Sequence, residues 1–171
     1  PVPISMPGYD AGPICSATYW VSKDVETGIR NVDLYRSQLY SPTRMGIHQG
    51  ETDADLTIHW KKCRARGIPL PVAIVVGVPP NVGYVGPLGF PYGVDEFTMA
   101  GGISGEPLEL VKCKTVDLEV PAYAEIVIEG EMNTEELEME APHGEGVKGY
   151  IGMEEMQPYV NVKCITHRKD P

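Results

Sequence analysis

The residues best suited to chemistry in this chain are two carboxylates and an arginine. Glu140 and Glu145 flank a turn that contains Pro142 and Gly144, and Arg36 lies far upstream. A guanidinium can pair with a carboxylate through two parallel hydrogen bonds and hold it ionised. A second carboxyl that faces an apolar pocket has a raised pKa and can exchange a proton near neutral pH. The pattern predicts acid–base chemistry if both carboxylates converge on Arg36; otherwise the acidic turn is ordinary surface.

Asn31 and Glu109 add oxygen atoms of the kind that Mn²⁺, Mg²⁺ and K⁺ prefer as ligands. Asn31 and Arg36 are five residues apart. In a regular strand they project from opposite faces, and they share a site only through a bulge or at the end of the strand. Glu109 lies between Leu108 and Leu110, where it either points to solvent or binds a cation that offsets the cost of its burial. The pair would place proton transfer beside a metal–phosphate site.

Composition and charge narrow the possible functions. The 171 residues suffice for one domain with a core, and 42% hydrophobic residues are usual for a globular protein. A net charge of −10 argues against a nucleic-acid partner, because binding phosphates requires a basic face. The longest apolar run, residues 70–78, is far shorter than the roughly 20 residues that span a membrane. Four cysteines without paired spacing favour neither a zinc site nor a disulfide framework, and we expect a cytoplasmic location.

The elements that must position these side chains are mostly strands. Apolar and β-branched residues predict strands at residues 14–21, 32–40, 44–48, 70–78, 108–114, 124–131 and 160–167. Many strands with one clear helix favour a closed or split β-barrel with appended helices. A doubly wound sheet would instead need alternating strands and helices and a glycine-rich turn that opens a helix.

The one helix that the sequence marks clearly lies at residues 53–66 and is ended by Gly67. Its apolar face is formed by side chains at three- and four-residue spacing: Leu56, His59, Trp60 and Cys63. The glycine-rich segment 82–106 is predicted as a long loop with one helical turn at residues 95–100. Residues 135–140 are interpreted as an acidic surface loop.

These segments together resemble the UbiD family of reversible, non-oxidative decarboxylases, which use prenylated FMN. The family pattern Asn-x-x-(Ile/Leu)-x-Arg is matched by residues 31–36, and a long block around Glu-Leu-Val-Lys-Cys by residues 108–130. The family turn Glu-Gly-Pro-x-Gly-(Glu/Asp) is matched by residues 140–145, followed by Gly-Tyr at 149–150 and Ile-Thr-x-Arg at 165–168. The resemblance covers nearly the whole chain, and its long block is the most specific part.

The resemblance implies a mainly β fold with helices, a split β-barrel of the flavin-reductase-like, FMN-binding kind. Residues 1–171 would form a single domain, the central cofactor-binding and catalytic barrel of a longer UbiD-like enzyme. The chain begins at Pro1 without an initiator methionine, and we expect it to be a fragment of that longer enzyme.

The resemblance also implies the cofactors and the residues that hold them. Asn31 and Glu109 would bind Mn²⁺, or Mg²⁺, which bridges the cofactor phosphate. A K⁺ ion would lie beside that metal and share Glu109. Leu34, Tyr35 and Arg36 would line the prenylated FMN.

The implied reaction is reversible decarboxylation of an aromatic or α,β-unsaturated carboxylic acid by a carboxy-lyase. Arg36, Glu140 and Glu145 would form the catalytic network, with Glu145 as the proton donor. A flavin prenyltransferase would supply the cofactor, and the enzyme would be a homo-oligomer or part of a multi-subunit carboxylase. Alternatively, the chain is a flavin-binding or assembly subunit of a multi-component aryl carboxylase without activity of its own.

Two positions depart from the family pattern. Ala141 stands where Gly is usual, and His143 stands where Phe or Tyr is usual. The imidazole of His143 either changes the polarity of the pocket, takes part in proton transfer or is a plain wall residue. Some relatives carry a further histidine metal ligand after the Arg36 strand. His48 is considered for that role, although residues 44–55 do not align with the family without a gap.

Overall fold

A computed structural model of the chain describes residues 12–49, 54–145 and 150–170, and for Glu145 and Tyr150 it describes the backbone only. The helices in these ranges are α1 (Asp55–Ala65), α2 (Pro80–Val85) and α3 (Glu96–Ser104). The strands are β1 (Ile14–Lys23), β2 (Arg30–Ser41), β3 (Arg44–Gly46), β4 (Leu70–Val76), β5 (Leu110–Lys112), β6 (Glu119–Pro121), β7 (Ile126–Met132), β8 (Glu138–Glu140), β9 (His143–Glu145), β10 (Tyr150–Gly152), β11 (Glu155–Gln157) and β12 (Tyr159–His167). The fold is mainly β, as the sequence predicts.

Six of the strands form a closed barrel in the order β1-β2-β3-β12-β7-β4. Neighbouring strands are antiparallel, and β1 closes the barrel by pairing with β4. Closure leaves none of these six strands with an open edge. The other described strands form two-stranded sheets that pair β5 with β6, β8 with β11 and β9 with β10. The predicted β-barrel is confirmed.

Both faces of the barrel wall are buried where the helices pack on it. Trp20 and Ile74 belong to one apolar cluster together with the inner face of α1. Their sequence neighbours Val21 and Val75 belong to a second cluster together with residues of α2 and α3. A strand that is covered on both faces has a continuous run of apolar residues in its sequence. This burial explains why residues 70–78 show no polar alternation.

Of the three helices, α1 was predicted, α3 was predicted in part, and α2 was not predicted. All four side chains of the predicted apolar face of α1 are buried, although residue 53 lies outside the described ranges. The helical turn predicted at residues 95–100 is confirmed as part of α3, but the loop predicted for the rest of residues 82–106 is wrong where α3 continues and where α2 lies. Helix α2 contains Gly83 and has no side-chain cap, so packing of Val82 and Val85 stabilises it more than intrinsic propensity does. No helix in the described part of the chain is long and apolar enough to cross a membrane.

Two buried ionisable groups link the helices to β1 and β2. His59 of α1 lies 2.9 Å from the hydroxyl of Ser22 through Nδ1, and burial lowers the pKa of His59 to about 4. Glu96 begins α3 and accepts a hydrogen bond of 2.8 Å from the backbone N–H of Val32. Burial raises the pKa of Glu96 to about 7. The two shifts have opposite effects on stability over the same range of pH.

We predict that the substitutions Glu96→Gln and His59→Asn give opposite slopes of unfolding free energy against pH. With Glu96→Gln, stability falls as pH drops from 6.5 to about 4, because the unfolded chain takes up a proton that buried His59 does not. With His59→Asn, stability falls as pH rises from 4.5 to about 7, because buried Glu96 must lose its proton. In each variant the free energy of unfolding changes by about 3 kcal/mol over the stated range of pH. Urea unfolding at a series of pH values measures both, and parallel curves for the two variants would contradict the prediction.

Candidate active site

Glu140, one of the predicted catalytic acids, is a buried carboxylate at the end of β8, with only 1% of its surface exposed. It accepts two hydrogen bonds from Arg36, one from Nε to Oε1 (2.8 Å) and one from Nη2 to Oε2 (3.0 Å). This is the two-bond pairing that a guanidinium makes with a carboxylate. The interpretation of residues 135–140 as a surface loop is therefore wrong where β8 forms, at Glu138–Glu140, and the last of these residues is buried against an arginine of β2.

His48 is a third partner of this group. Its Nδ1 lies 2.7 Å from Oε2 of Glu140. The backbone N–H of His48 donates to the carbonyl oxygen of Arg36 (3.3 Å), so the segment after β3 lies beside β2 at this point. Sequence reasoning considered His48 only as a metal ligand. The predicted strands at residues 32–40 and 44–48, close enough in the chain to form a hairpin, were the signal that could have placed it near Arg36.

The electrostatics of the group favour an ionised Glu140. Burial by itself would raise the pKa of Glu140, but hydrogen bonds from His48 and Arg36 outweigh it, so the pKa lies below its usual value. Tyr40 lies near this charge. Burial, together with the charges of Glu140 and Glu138, raises the pKa of Tyr40 to about 12. Tyr40 therefore stays a neutral phenol beside a fixed negative charge.

Asn31 and Arg36 lie on opposite faces of β2. The strand pairs residue by residue with β1 until Arg36, where the register shifts between Cys15 and Thr18 of β1. The irregularity thus lies in the partner strand, and β2 keeps its own alternation. Asn31 and Arg36 therefore face different surroundings.

The side chain of Asn31 lines a polar cavity. Asn31 is 3% exposed and borders a volume of 280 Å³ together with Asp33, Asp55 and Glu96. Within the described part of the chain, its side-chain nitrogen has no hydrogen-bond partner. A buried polar group left unpaired costs about 1–3 kcal/mol. A ligand that brings an acceptor oxygen into the cavity would remove that cost.

Glu109 lies just before β5 and is exposed, whereas Leu108 and Leu110 pack against the apolar cluster of α2 and α3. The sequence allows Glu109 either to point to solvent or to bind a cation in a buried position, and the structure shows the solvent-facing arrangement. Glu109 borders a different cavity, of 310 Å³, and its hydrogen bond raises the pKa of Tyr123. Asn31 and Glu109 thus line separate cavities. In the described ranges, no cluster of three or more His, Cys, Asp and Glu residues could hold a metal ion.

The remaining predicted residues lie on β2 and β9. Tyr35 is buried in the cluster of α1, and Leu34 is half-buried on the opposite face of β2. Glu145 ends β9, whose backbone pairs with β10, but its side chain lies outside the described part, as does Gly149. His143 begins β9, and its buried Nδ1 has no partner among the described residues.

Comparison with known sequences gives a family match over the full chain. Residues 1–171 match the model of the 3-octaprenyl-4-hydroxybenzoate carboxy-lyase Rift-related domain. Phenolic acid decarboxylase of Bacillus subtilis (strain 168) is 39% identical over 155 residues, which are 88% of this chain and 32% of that protein. The chain spans about a third of the length of the curated relatives that it matches.

Solved structures resemble the chain in both sequence and fold. An evolved dimeric form of the UbiD-class enzyme HmfF from Pelotomaculum thermopropionicum, in complex with prFMN, is 41% identical with a TM-score of 0.90. The match covers 95% of this chain and 37% of that one. Vanillic acid decarboxylase of Sedimentibacter hydroxybenzoicus, in closed form, is 32% identical with a TM-score of 0.90, over 95% of this chain and 35% of that one. An NADH:FAD oxidoreductase of Streptomyces globisporus C-1027, 15% identical with a TM-score of 0.56 over 91% of this chain and 76% of that one, shares the fold alone.

We predict that Glu140→Ala lowers the free energy of unfolding by about 3–5 kcal/mol, because it leaves the Arg36 guanidinium partly buried without its carboxylate. Glu138→Ala on the same strand is the matched control, since Glu138 pairs with Arg44 where both side chains are about a third or more exposed. That pair is screened by solvent, so its loss should destabilise the protein far less than the loss of Glu140. Urea unfolding of both variants measures the difference, and equal losses would contradict the prediction.

Proposed function

Because this chain belongs to the UbiD family, we propose that it is the cofactor-binding core of a carboxy-lyase that uses prenylated FMN. The reaction is the reversible, non-oxidative decarboxylation of an aromatic or α,β-unsaturated carboxylic acid. The observation that carries the proposal is the buried Arg36–Glu140 pair, which lies just before the strand that ends at Glu145. The names of the relatives, among them a phenolic acid decarboxylase and an enzyme in complex with prFMN, support the same class.

The described residues fit a cofactor that carries a phosphate and a hard cation. The unpaired, buried nitrogen of Asn31 can donate to a phosphate oxygen, while the oxygen of the same amide can bind Mn²⁺ or Mg²⁺. Glu109 is the carboxylate that the family resemblance assigns to that metal and to a neighbouring K⁺, although it lines a separate cavity. Asp55 and Glu96, by contrast, border the same cavity as Asn31. Water and the phosphate would complete the coordination, as is usual for such ions. Leu34 and Arg36, which share one face of β2, would line the flavin with their side chains, whereas Tyr35, whose side chain is buried on the other face, would line it with its backbone.

The chain's own residues orient the substrate and move the proton. When bound, prenylated FMN supplies the electron sink for the loss of CO₂. Arg36 holds the carboxylate region of the substrate with a guanidinium whose direction is set by Glu140. Glu140 stays ionised because its pKa is lowered, so it is not the acid. Glu145 delivers the proton to the carbon that loses CO₂. A carboxyl can give up a proton in this way near neutral pH only if its pKa is raised.

We propose that this chain is part of a longer enzyme, and the relatives, which extend well beyond the stretch that they share with it, support this proposal. A flavin prenyltransferase supplies the cofactor, and the enzyme works in the cytoplasm as a homo-oligomer or as part of a multi-subunit carboxylase. A flavin-binding or assembly subunit would differ in one observable. After co-expression with a flavin prenyltransferase, it would show the absorbance of bound flavin without turning over any acid.

We predict that Asn31→Ala and Glu109→Ala each lower the flavin and metal retained by the purified protein. Each change removes a ligand of the cation that holds the phosphate, so retention should fall by about tenfold or more. Glu106→Ala, which removes another exposed acid close to Glu109, is the control and should retain both. Flavin absorbance and metal content per protein chain measure the effect. Full retention of flavin and metal in both variants would contradict the assignment of Asn31 and Glu109 as ligands.

We predict that Glu145→Gln keeps the cofactor but lowers the decarboxylation rate by about 10²-fold or more, because the amide has no transferable proton. Exchange of the product's vinylic or ring hydrogen with D₂O should vanish with it. Glu135→Gln, a change of an exposed acid before β8, should leave both rates unchanged. Exchange at the wild-type rate in Glu145→Gln would remove that residue from the role of proton donor and make His143 the next candidate.

A further inference from the structure

Two donors reach Glu140 from adjacent parts of the barrel wall. Arg36 comes from β2, and His48 comes from the segment that follows β3. The backbone hydrogen bond from His48 N–H to the Arg36 carbonyl ties the two segments together at the level of the site. The spacing between imidazole and guanidinium is therefore set by paired backbone and not by a free loop.

The contact also determines which nitrogen of His48 carries the proton. An ionised carboxylate is an acceptor only, and the guanidinium that holds it is a donor only. At 2.7 Å from Oε2 of Glu140, the Nδ1 atom of His48 must therefore donate. Neutral His48 thus has its proton on Nδ1, and Nε2 keeps a lone pair.

We propose that His48 is a positioning residue of this site, which acts on the substrate-binding guanidinium of Arg36 through Glu140. A carboxylate turns easily about its terminal bond, and a bonded guanidinium would turn with it. The hydrogen bond from His48 to Oε2 fixes that rotation and so fixes the plane of the Arg36 guanidinium. The inference rests on the proposed function, since the plane of Arg36 matters to catalysis only if Arg36 orients the substrate.

The chain allows a substitution that removes the contact and one that restores it. His48→Ala removes the donor, whereas His48→Asn places an amide N–H close to the position of Nδ1. Neither change touches the backbone bond to Arg36 or the bond of 3.1 Å from the Gln49 N–H to the Gln157 side chain. We therefore expect both variants to fold. His167→Ala, an exposed histidine at the end of β12, is the control.

The first measurement needs no cofactor. In the full polypeptide that carries this chain, labelled with nitrogen-15 histidine, the long-range proton–nitrogen spectrum distinguishes the two neutral tautomers. The resonance of His48 is identified by its loss in His48→Asn. We expect a ring protonated at Nδ1 in the neutral state. A ring protonated at Nε2 alone would overturn the proposal.

The second measurement is turnover of the cofactor-loaded protein. We expect His48→Ala to lower kcat by about 10-fold to 100-fold, the scale of a lost hydrogen bond to a charged group, and His48→Asn to recover most of it. Flavin content should be unchanged in both. The thermal midpoint should fall in His48→Ala by no more than the loss of one hydrogen bond to a charged group, and it should recover in His48→Asn. Wild-type kcat in His48→Ala, or no recovery in His48→Asn, would overturn the positioning role. If the wild-type protein neither retains flavin nor decarboxylates any acid, the proposed function fails with it, and a ring protonated at Nδ1 then reports a structural contact only.

Discussion

A charged carboxylate that is removed from water must be paired, and Glu140 imposes this requirement on the structure around it. Burying an ion costs several kcal/mol unless hydrogen bonds and opposite charge compensate it. Arg36 and His48 provide that compensation from β2 and from the segment after β3. The chain beyond Glu140 is held as well, because the backbone N–H of Ala141 donates to the side chain of Gln38 (2.9 Å). The approach to β9 is thereby attached to the same strand as Arg36.

The closed barrel lets a single strand serve two different environments. Strand β2 is paired on both sides, with β1 and β3, so its residues cannot shift in register without breaking two ladders. Arg36 leaves one face toward Glu140. Asn31 leaves the other face toward the polar cavity that it shares with Asp55 and Glu96.

A second buried carboxylate, Asp24, is also paired. Lys62 of α1 donates to it at 2.7 Å, and the hydroxyl of Tyr92 donates to the same oxygen at 2.5 Å. Tyr92 belongs to the segment between α2 and α3, so this contact attaches that segment to α1. Asp55 and Glu96, which border the cavity of Asn31, begin α1 and α3. Paired carboxylates therefore organise the chain at both candidate sites.

The sequence by itself determined those parts of the protein that depend on local chemistry. Apolar periodicity located the barrel strands and α1, because strands and helices bury faces with different spacing. Residue type and spacing singled out Arg36 and Glu140, whose contact the structure contains. The family pattern supplied the cofactor, which no periodicity could have indicated.

Only the tertiary structure decided which distant residues meet. The contact of His48 with Glu140 depends on the register of β2 against β3 and of β8 against β11, and neither register can be read from local pattern. The separate cavities of Asn31 and Glu109 depend on where α2 and α3 pack, and α2 itself exists because the barrel covers its apolar side chains. Contacts of this kind follow from the closure of the whole barrel, since each strand fixes the position of the next.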